Sequence, residues 1–299
     1  MSAAHPAPPS RQALAAEISR RLDAAGLADP AREAQLILRW ASGLSPRAFA
    51  AARRDPPGPV ERARAARALA ARLDRRPFSH VTGRRAFWGR DFCTGPEVLD
   101  PRPETETLVA AALEARFARL LDLGTGSGCL LLTLLAERPG TTGLGTDTSG
   151  PALRMAQRNA RRLGLEARAV FARADWVDGL PPGTWDLVVS NPPYIAAHEI
   201  PGLAPEVARH EPRAALTPDS GPAGDGLGAY RRIAASLPET LAPGGRAILE
   251  LGRGQAAAVA GIIEATGLAV AGLRRDLDGN ERAIIAVHGK KTPKSTLSG

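Results

Sequence analysis

Between residues 120 and 251 the chain repeats one pattern: a short apolar run that stops abruptly at a glycine, an acid or an Asn-Pro pair. Leu120-Leu121-Asp122-Leu123 stops at Gly124-Thr125-Gly126-Ser127-Gly128, and Gly143-Leu144-Gly145-Thr146-Asp147 ends in its own acid. Ala169-Val170-Phe171 is closed by Asp175-Trp176. Trp185 to Ser190 runs straight into Asn191-Pro192-Pro193-Tyr194, and Arg246 to Leu251 follows the turn Pro243-Gly244-Gly245. Helical spacing fills the first two gaps, through Leu130, Leu131, Leu134 and Leu135 and then through Leu153, Ala156 and Ala160. Strands alternating with helices predict an α/β, Rossmann-like domain: a mostly parallel sheet covered on both faces, with 268–273 and 282–287 closing it. Ligands bind such sheets at the carboxyl ends of the strands, and every unusual residue here falls at such an end.

The first 77 residues carry a different signal. Ser10 caps a helix with Leu14, Ile18 and Leu22 on one face, ending near Gly26. A second helix follows Pro30 with Leu36, Ile37 and Trp40 inward, and Ser45-Pro46 opens a third around Phe49. After the break at 55–59, a fourth turns Val60, Ala66, Leu69 and Leu73 inward. This stretch, 1–77, reads as a small helical bundle. Aromatics and β-formers among Gly83 and Gly89 predict a hairpin linker within 78–104, ahead of the α/β domain at 105–288. Residues 289–299 read as a polar, disordered tail.

Composition narrows the function. Hydrophobic residues make up 44% and charged residues 23%, a globular balance. No basic-then-apolar leader opens the chain, and no apolar run approaches the roughly 20 residues of a membrane helix. Cys93 and Cys129 are the two cysteines, and no Cys/His cluster has metal-ligand spacing. Neither a disulfide framework nor a metal is expected, and a cytoplasmic setting fits. The net charge of +8 is uneven, because residues 1–90 hold 17 arginines against seven acids. That surplus suits an acidic partner or RNA; composition bias is the competing explanation.

The glycine loop lets the backbone approach a ligand and leads into a helix whose free N–H groups suit a carboxylate. A dinucleotide fingerprint needs a third glycine where Cys129 stands, so a pyrophosphate site is disfavoured. The G-x-G-x-G form after a D-x strand end, Gly124, Thr125, Gly126, Ser127 and Gly128, is the one seen in S-adenosylmethionine binders. Asp147 is placed to accept from both ribose hydroxyls, or else to cap the next helix. Asp175 and Trp176 are placed to hold an adenine amino group and cover the ring, or else are a loop acid and a core aromatic.

Asn191-Pro192-Pro193-Tyr194 is the sharpest signal, a tetrapeptide expected by chance about once in a thousand such chains. An amide or aromatic amino nitrogen is a poor nucleophile because its lone pair is delocalised. Hydrogen bonds from its two N–H groups to the Asn191 side-chain oxygen and the Pro192 carbonyl would hold it and stabilise the charge growing on nitrogen. The prolines stiffen the loop, and Tyr194 offers a ring face to the target plane and to a sulfonium methyl.

The chain from roughly 10 to 288 resembles the HemK/PrmC-type protein-(glutamine-N5) methyltransferases. The resemblance rests on the NPPY loop, Arg76-Pro77 with Gly83, and Pro101-Arg102-Pro103-Glu104-Thr105-Glu106. Glu211-Pro212 with Ala215-Leu216, Gly226-Leu227 with Tyr230-Arg231, and Asp276-Leu277-Asp278-Gly279 before Arg282 add to it. It implies S-adenosylmethionine as cofactor (S-adenosylhomocysteine as product), and as substrate the Gly-Gly-Gln glutamine of class I peptide-chain release factors. It implies further that 124–128, Asp147, Trp176 and Asn191 contact the cofactor, that 191–194 receive the glutamine, and that Arg102 to Glu106 lie near the pocket mouth. Three positions depart from the family pattern: Asp100 replaces an apolar residue, His210 an aromatic, and 217–225 is a few residues longer. A monomer without a stable nucleic-acid complex is expected. The rivals are a ribosomal-protein glutamine methyltransferase, a DNA or RNA amino methyltransferase, and a silent scaffold. Base flipping and a basic catalytic body would be needed for the nucleic-acid reading, and the basic surplus lies elsewhere.

Overall fold

The computed structural model describes residues 9–180, 182, 184–218 and 224–289; the expectations for residues 1–8, for the tail from 290 and for most of 217–225 lie outside them. The described chain forms two compact units.

The first unit contains α1 (Arg11–Ala24), α2 (Pro30–Ser42), α3 (Pro46–Ala51), α4 (Pro59–Leu73) and α5 (Phe78–Thr82). Ser10, Asp29 and Ser45 each cap a helix through a side-chain oxygen that accepts a backbone N–H three residues on. Leu22, Ile37, Leu38, Ala65, Ala68 and Leu69 meet in its core. Three inward assignments are corrected. Trp40 is 36% exposed and Val60 66% exposed, and Ala66 also faces out. The α2 stripe is Ala34-Ile37-Leu38-Ala41, and the α4 stripe runs through Ala65, Ala68 and Leu69 to Arg72, one residue off the expected register. Two arginines tie the unit together: Arg11 pairs with Glu61 at 2.7 Å, and the buried Arg72 with Glu33. Residues 205–210, well inside the expected α/β stretch, cluster with these helices: Glu206 pairs with Arg72 and Arg75, both at 3.4 Å.

The second unit opens with the hairpin, which is shorter than its 78–104 window because Phe78–Thr82 is helical, with the Pro77 carbonyl accepting from His80 and Val81. Strands β1 (Arg84–Phe87) and β2 (Arg90–Cys93) pair antiparallel. There follow α6 (Glu106–Leu113), β3 (Arg119–Leu123), α7 (Cys129–Glu137), β4 (Thr142–Asp147), α8 (Gly150–Leu163), β5 (Ala169–Arg173) and β6 (Trp185–Ser190). After α9 (Pro205–His210) come α10 (Arg213–Leu216), α11 (Gly228–Thr240), β7 (Leu241–Glu250), α12 (Ala256–Glu264), β8 (Leu268–Arg275) and β9 (Glu281–His288). The sheet order is β5-β4-β3-β6-β7-β9-β8. All pairs are parallel except those of β9 with β7 and β8. Pro243-Gly244-Gly245 is accommodated inside β7 as an irregularity opposite Trp185 and Leu187.

Alternate residues supply the two faces of the sheet. Leu120, Leu187, Val189, Ile248 and Ile285 pack with α6, α7 and the hairpin, whereas Leu121, Val188, Leu249 and Ile284 pack with α11 and α12. Among the described residues no helix is long and apolar enough to cross a membrane.

One buried amide joins the hairpin to the glycine loop. Asn159 on α8 accepts from the Cys93 N–H at 2.7 Å and donates to the carbonyls of Cys93 at 3.0 Å and Ser127 at 2.8 Å. Replacing it strands three buried backbone groups. Asn159→Ala should lower the unfolding free energy in a urea titration by about 2–4 kcal/mol; a loss under ~1 kcal/mol would contradict this account of the joint.

Candidate active site

The sheet diverges at β3, with β4 on one side and β6 on the other, and a cavity of about 420 Å³ opens above the carboxyl ends of these strands. Gly124, Thr125, Gly126, Ser127, Asp147, Asp175, Trp176, Asn191, Pro193 and Arg102 all line it. Gly128, Pro192 and Tyr194 do not line it: Pro192 is buried, and Tyr194 turns its hydroxyl toward Glu250.

The glycine loop is left-handed at Gly124 (φ 69°), Gly126 (φ 55°) and Gly128 (φ 78°), which favours glycine over any L side chain. At Gly128 an added Cβ would press on Ala156 and Leu132, each at 3.1 Å. The loop is held from below. Thr125 donates through its hydroxyl to Asp122 Oδ2 at 2.6 Å, and its N–H donates to the Thr146 carbonyl at 2.8 Å. Asp147 accepts from the Gly126 N–H at 3.0 Å and the Ser149 N–H at 2.8 Å. The α8 cap is Ser149, so Asp147 is not the helix cap; each of its oxygens accepts one of these hydrogen bonds and keeps further acceptor capacity, and the residue lines the cavity. Trp176 holds φ 58°, a region a bulky residue rarely occupies, and its carbonyl accepts from Thr146 Oγ1 at 3.0 Å. This conformation puts the indole 3.7 Å from where a Gly124 Cβ would stand. Asp175 is half exposed and pairs with Arg232, a cavity-lining residue that the sequence reading had not singled out.

The donor set fits S-adenosylmethionine. Gly124 and Gly126 bring bare backbone to the cavity, and Asp122 Oδ1 is a buried acceptor with no partner among the described residues, suited to an ammonium group. Burial, only partly offset by Thr125 and the Leu131 N–H, pushes the Asp122 carboxyl up to about 7.

The NPPY loop is fixed from three directions. Ile195 N–H donates to the Leu216 carbonyl at 2.9 Å, and Gln255 Nε2 donates to the Tyr194 carbonyl at 2.9 Å. Gly226, at φ 74°, lies so close that a Cβ would overlap the Tyr194 carbonyl. Asn191 Nδ2 donates to Thr105 Oγ1 at 3.2 Å, and Thr105 Oγ1 donates to Glu250 Oε2 at 2.6 Å. Thr105, Glu250, Gln255 and Asn159 were not singled out from the sequence; Thr105 alone had a signal, its place within Pro101–Glu106. The rest of that motif is tied into the fold. Arg102 clamps the buried Glu211 through two contacts of 2.7 Å, and Glu106 accepts the Trp88 N–H at 2.6 Å. Burial pushes Glu211 up to about 7 despite Arg102.

A doubly wound sheet with this glycine loop, paired acids and an Asn-Pro-Pro-Tyr turn on one cavity defines an S-adenosylmethionine-dependent methyltransferase. Comparison with known proteins narrows the class. The methyltransferase small domain family matches residues 100–217, and the PrmC N-terminal domain family matches 13–83. The release factor glutamine methyltransferase of Cereibacter sphaeroides is 48% identical over 266 residues, covering 89% of this chain and 94% of that one. That of Rhodospirillum rubrum is also 48% identical, covering 89% and 81%. That of Caulobacter vibrioides is 41% identical, covering 89% and 92%. A solved Pyrococcus furiosus methyltransferase shares the fold at TM-score 0.51 and 17% identity, over 68% of this chain and 91% of that one. The chain belongs to the release factor glutamine methyltransferase family.

The raised Asp122 pKa has a sign. The native state keeps a proton that an unfolded carboxyl loses at about 4, so stability falls as pH rises from about 4 to 7 and stays reduced above. Asp122→Asn should flatten its share of that fall in urea titrations at pH 5 and 8. The same variant should bind S-adenosylhomocysteine about tenfold more weakly by calorimetry; unchanged affinity would remove Asp122 from the cofactor site.

Proposed function

We propose that this chain transfers a methyl group from S-adenosylmethionine to the N5 side-chain amide of the Gly-Gly-Gln glutamine in class I peptide-chain release factors. The observation that carries the chemistry is the commitment of Asn191 Nδ2 to Thr105, which leaves Asn191 Oδ1 as an acceptor on the cavity wall. The substrate class comes from the close relatives, whose names state it.

Asn191 Oδ1 accepts one amide N–H of the glutamine from the cavity wall, and the adjoining Pro192 carbonyl is proposed for the other, although the proline itself lies outside the lining. This pair orients the nitrogen and stabilises the positive charge that develops on it. Pro193 lines the cavity and keeps the turn rigid. Tyr194, outside the cavity lining, braces the loop through its hydroxyl bond to Glu250 at 3.3 Å. Gly124 to Gly128 would form the loop around the amino-acid end of the cofactor, with Asp147 at the ribose and Asp175 with Trp176 at the adenine. When bound, S-adenosylmethionine supplies an electrophilic methyl on a sulfonium. No base on the protein is needed, because the product nitrogen is acidic enough to release its proton to water. Arg102 lies at the mouth and shapes the entry of the Gly-Gly-Gln loop. The setting is cytoplasmic, where release factors work.

The arginine-rich helices are proposed as the dock for the intact release factor. Arg53, Arg54, Arg64 and Arg67 are exposed, while Arg11 and Arg72 are spent on internal pairs. Mass spectrometry of a class I release factor after incubation with the enzyme and labelled cofactor should find one methyl on the Gly-Gly-Gln glutamine. Label on a ribosomal protein or on DNA instead would move the function to that substrate. Asn191→Ala should lower kcat about 10²–10³-fold; turnover within threefold of the parent would refute its role. Arg64→Glu with Arg67→Glu should raise KM for the intact release factor about tenfold and leave kcat intact. An unchanged KM would dismiss the dock.

A further inference from the structure

A carboxylate with no part in the scheme above lies directly beneath it. Glu250 ends β7, is fully buried, and belongs to the same sheet face as Ile248. Its two oxygens are divided between the two sides of the NPPY loop. Oε2 accepts from Thr105 Oγ1 at 2.6 Å and Oε1 accepts from the Tyr194 hydroxyl at 3.3 Å. A threonine hydroxyl has one hydrogen. Because that hydrogen is given to Glu250, Thr105 Oγ1 has only lone pairs for Asn191, and it takes the Nδ2 donor at 3.2 Å. The orientation of the Asn191 amide is therefore dictated from two residues away.

We propose that Thr105 and Glu250 are positioning residues for methyl transfer, forming a relay that keeps the Asn191 side-chain oxygen, and not its amino group, turned to the substrate amide. The inference rests on the role of Asn191 given under Proposed function and deepens it. Neither residue touches the reacting atoms. A reversed Asn191 would present N–H donors to a substrate group that itself only donates, so the same fold would be inactive.

The relay has a titratable end. Protonated Glu250 would donate to Thr105 Oγ1, free the Thr105 hydrogen to swing to Asn191, and favour the reversed amide. Burial pushes Glu250 up to about 7, offset in part by Thr105, Arg282 and Tyr194 and reinforced by Glu104. The groups facing it are Arg282 on β9, itself paired with Asp276, Tyr194 on the loop, Tyr230 on α11, Glu104 before α6 and Cys129 on α7. Burial and Glu250 both raise Tyr194, and burial raises Tyr230 and Cys129, so these three stay protonated near neutrality; Arg282 stays charged. Glu250 is then the member that switches, and turnover rises as pH passes upward through its ionisation.

The test uses the full-length enzyme, a purified class I release factor and S-adenosylmethionine, with kcat, KM and S-adenosylhomocysteine affinity read separately. Thr105→Val should lower kcat about 30-fold or more, with KM and cofactor affinity within threefold of the parent. Thr105→Ser, which restores the hydroxyl, should recover kcat to within about threefold. Glu250→Gln, which preserves shape and removes the ionisation, should abolish the rise of kcat near pH 7. A Thr105→Val enzyme with parental kcat, or a Ser variant as impaired as Val, overturns the relay. If Asn191→Ala is inactive while Thr105→Val is not, the relay alone fails. If both turn over normally, the role of Asn191 fails with it.

Discussion

The pairing of β3 with β4 on one side and β6 on the other constrains everything else in the second unit. At that divergence the loops after β3 and β6 both reach the cavity. The register aligns Leu123 with Thr146 and with Ser190. The glycine loop, Asp147 and Asn191 therefore leave the sheet at a common level. Residues separated by more than 60 positions in the chain become neighbours without any long-range side-chain search.

Polar groups beneath that crevice are held under tension between burial and pairing. Asp122, Glu211 and Glu250 all sit at about 7, and burial is the largest cause in each case. Each holds a strong acceptor in place where solvent does not compete, which is the setting in which a fixed dipole acts most strongly on charge developing nearby. Burying such groups often costs stability that apolar side chains would not, and what it gives is orientation. The same logic explains the apolar layers: Leu120, Val189 and Ile248 on one face and Leu121, Val188 and Leu249 on the other leave the strands no freedom to shift register.

Much of this was legible in the sequence, for a local reason. Strand ends, the glycine loop, Asp147, Asp175-Trp176 and Asn191-Pro192-Pro193-Tyr194 are written in consecutive residues, and the cavity gathers nearly all of them. The α/β architecture and its two closing strands followed from the same patterns. What was not legible depends on pairs distant in the chain. Nothing near Thr105 indicates that it meets Glu250, 145 residues on, nor does the surrounding of Asn159 point to Cys93, 66 residues back. The inward faces of α2 and α4 were misassigned at Trp40 and Val60 because alanine fills much of the true stripe, and large side chains drew the reading toward themselves. The helix at Phe78–Thr82 falls inside the stretch assigned to the hairpin linker because its aromatic and β-branched residues carry a β signal.

Residues Pro205–His210 belong with the helices of the first unit although the chain before and after them belongs to the second. The polypeptide thus passes from one unit to the other three times. A gene shortened to begin at residue 83 would still encode α9, now with Glu206 deprived of Arg72 and Arg75. The helical unit is accordingly not a prefix that recombination can exchange at a single junction. A replacement would have to change two separate stretches of coding sequence together, which ties the inheritance of the first 82 residues to that of a six-residue insert far downstream.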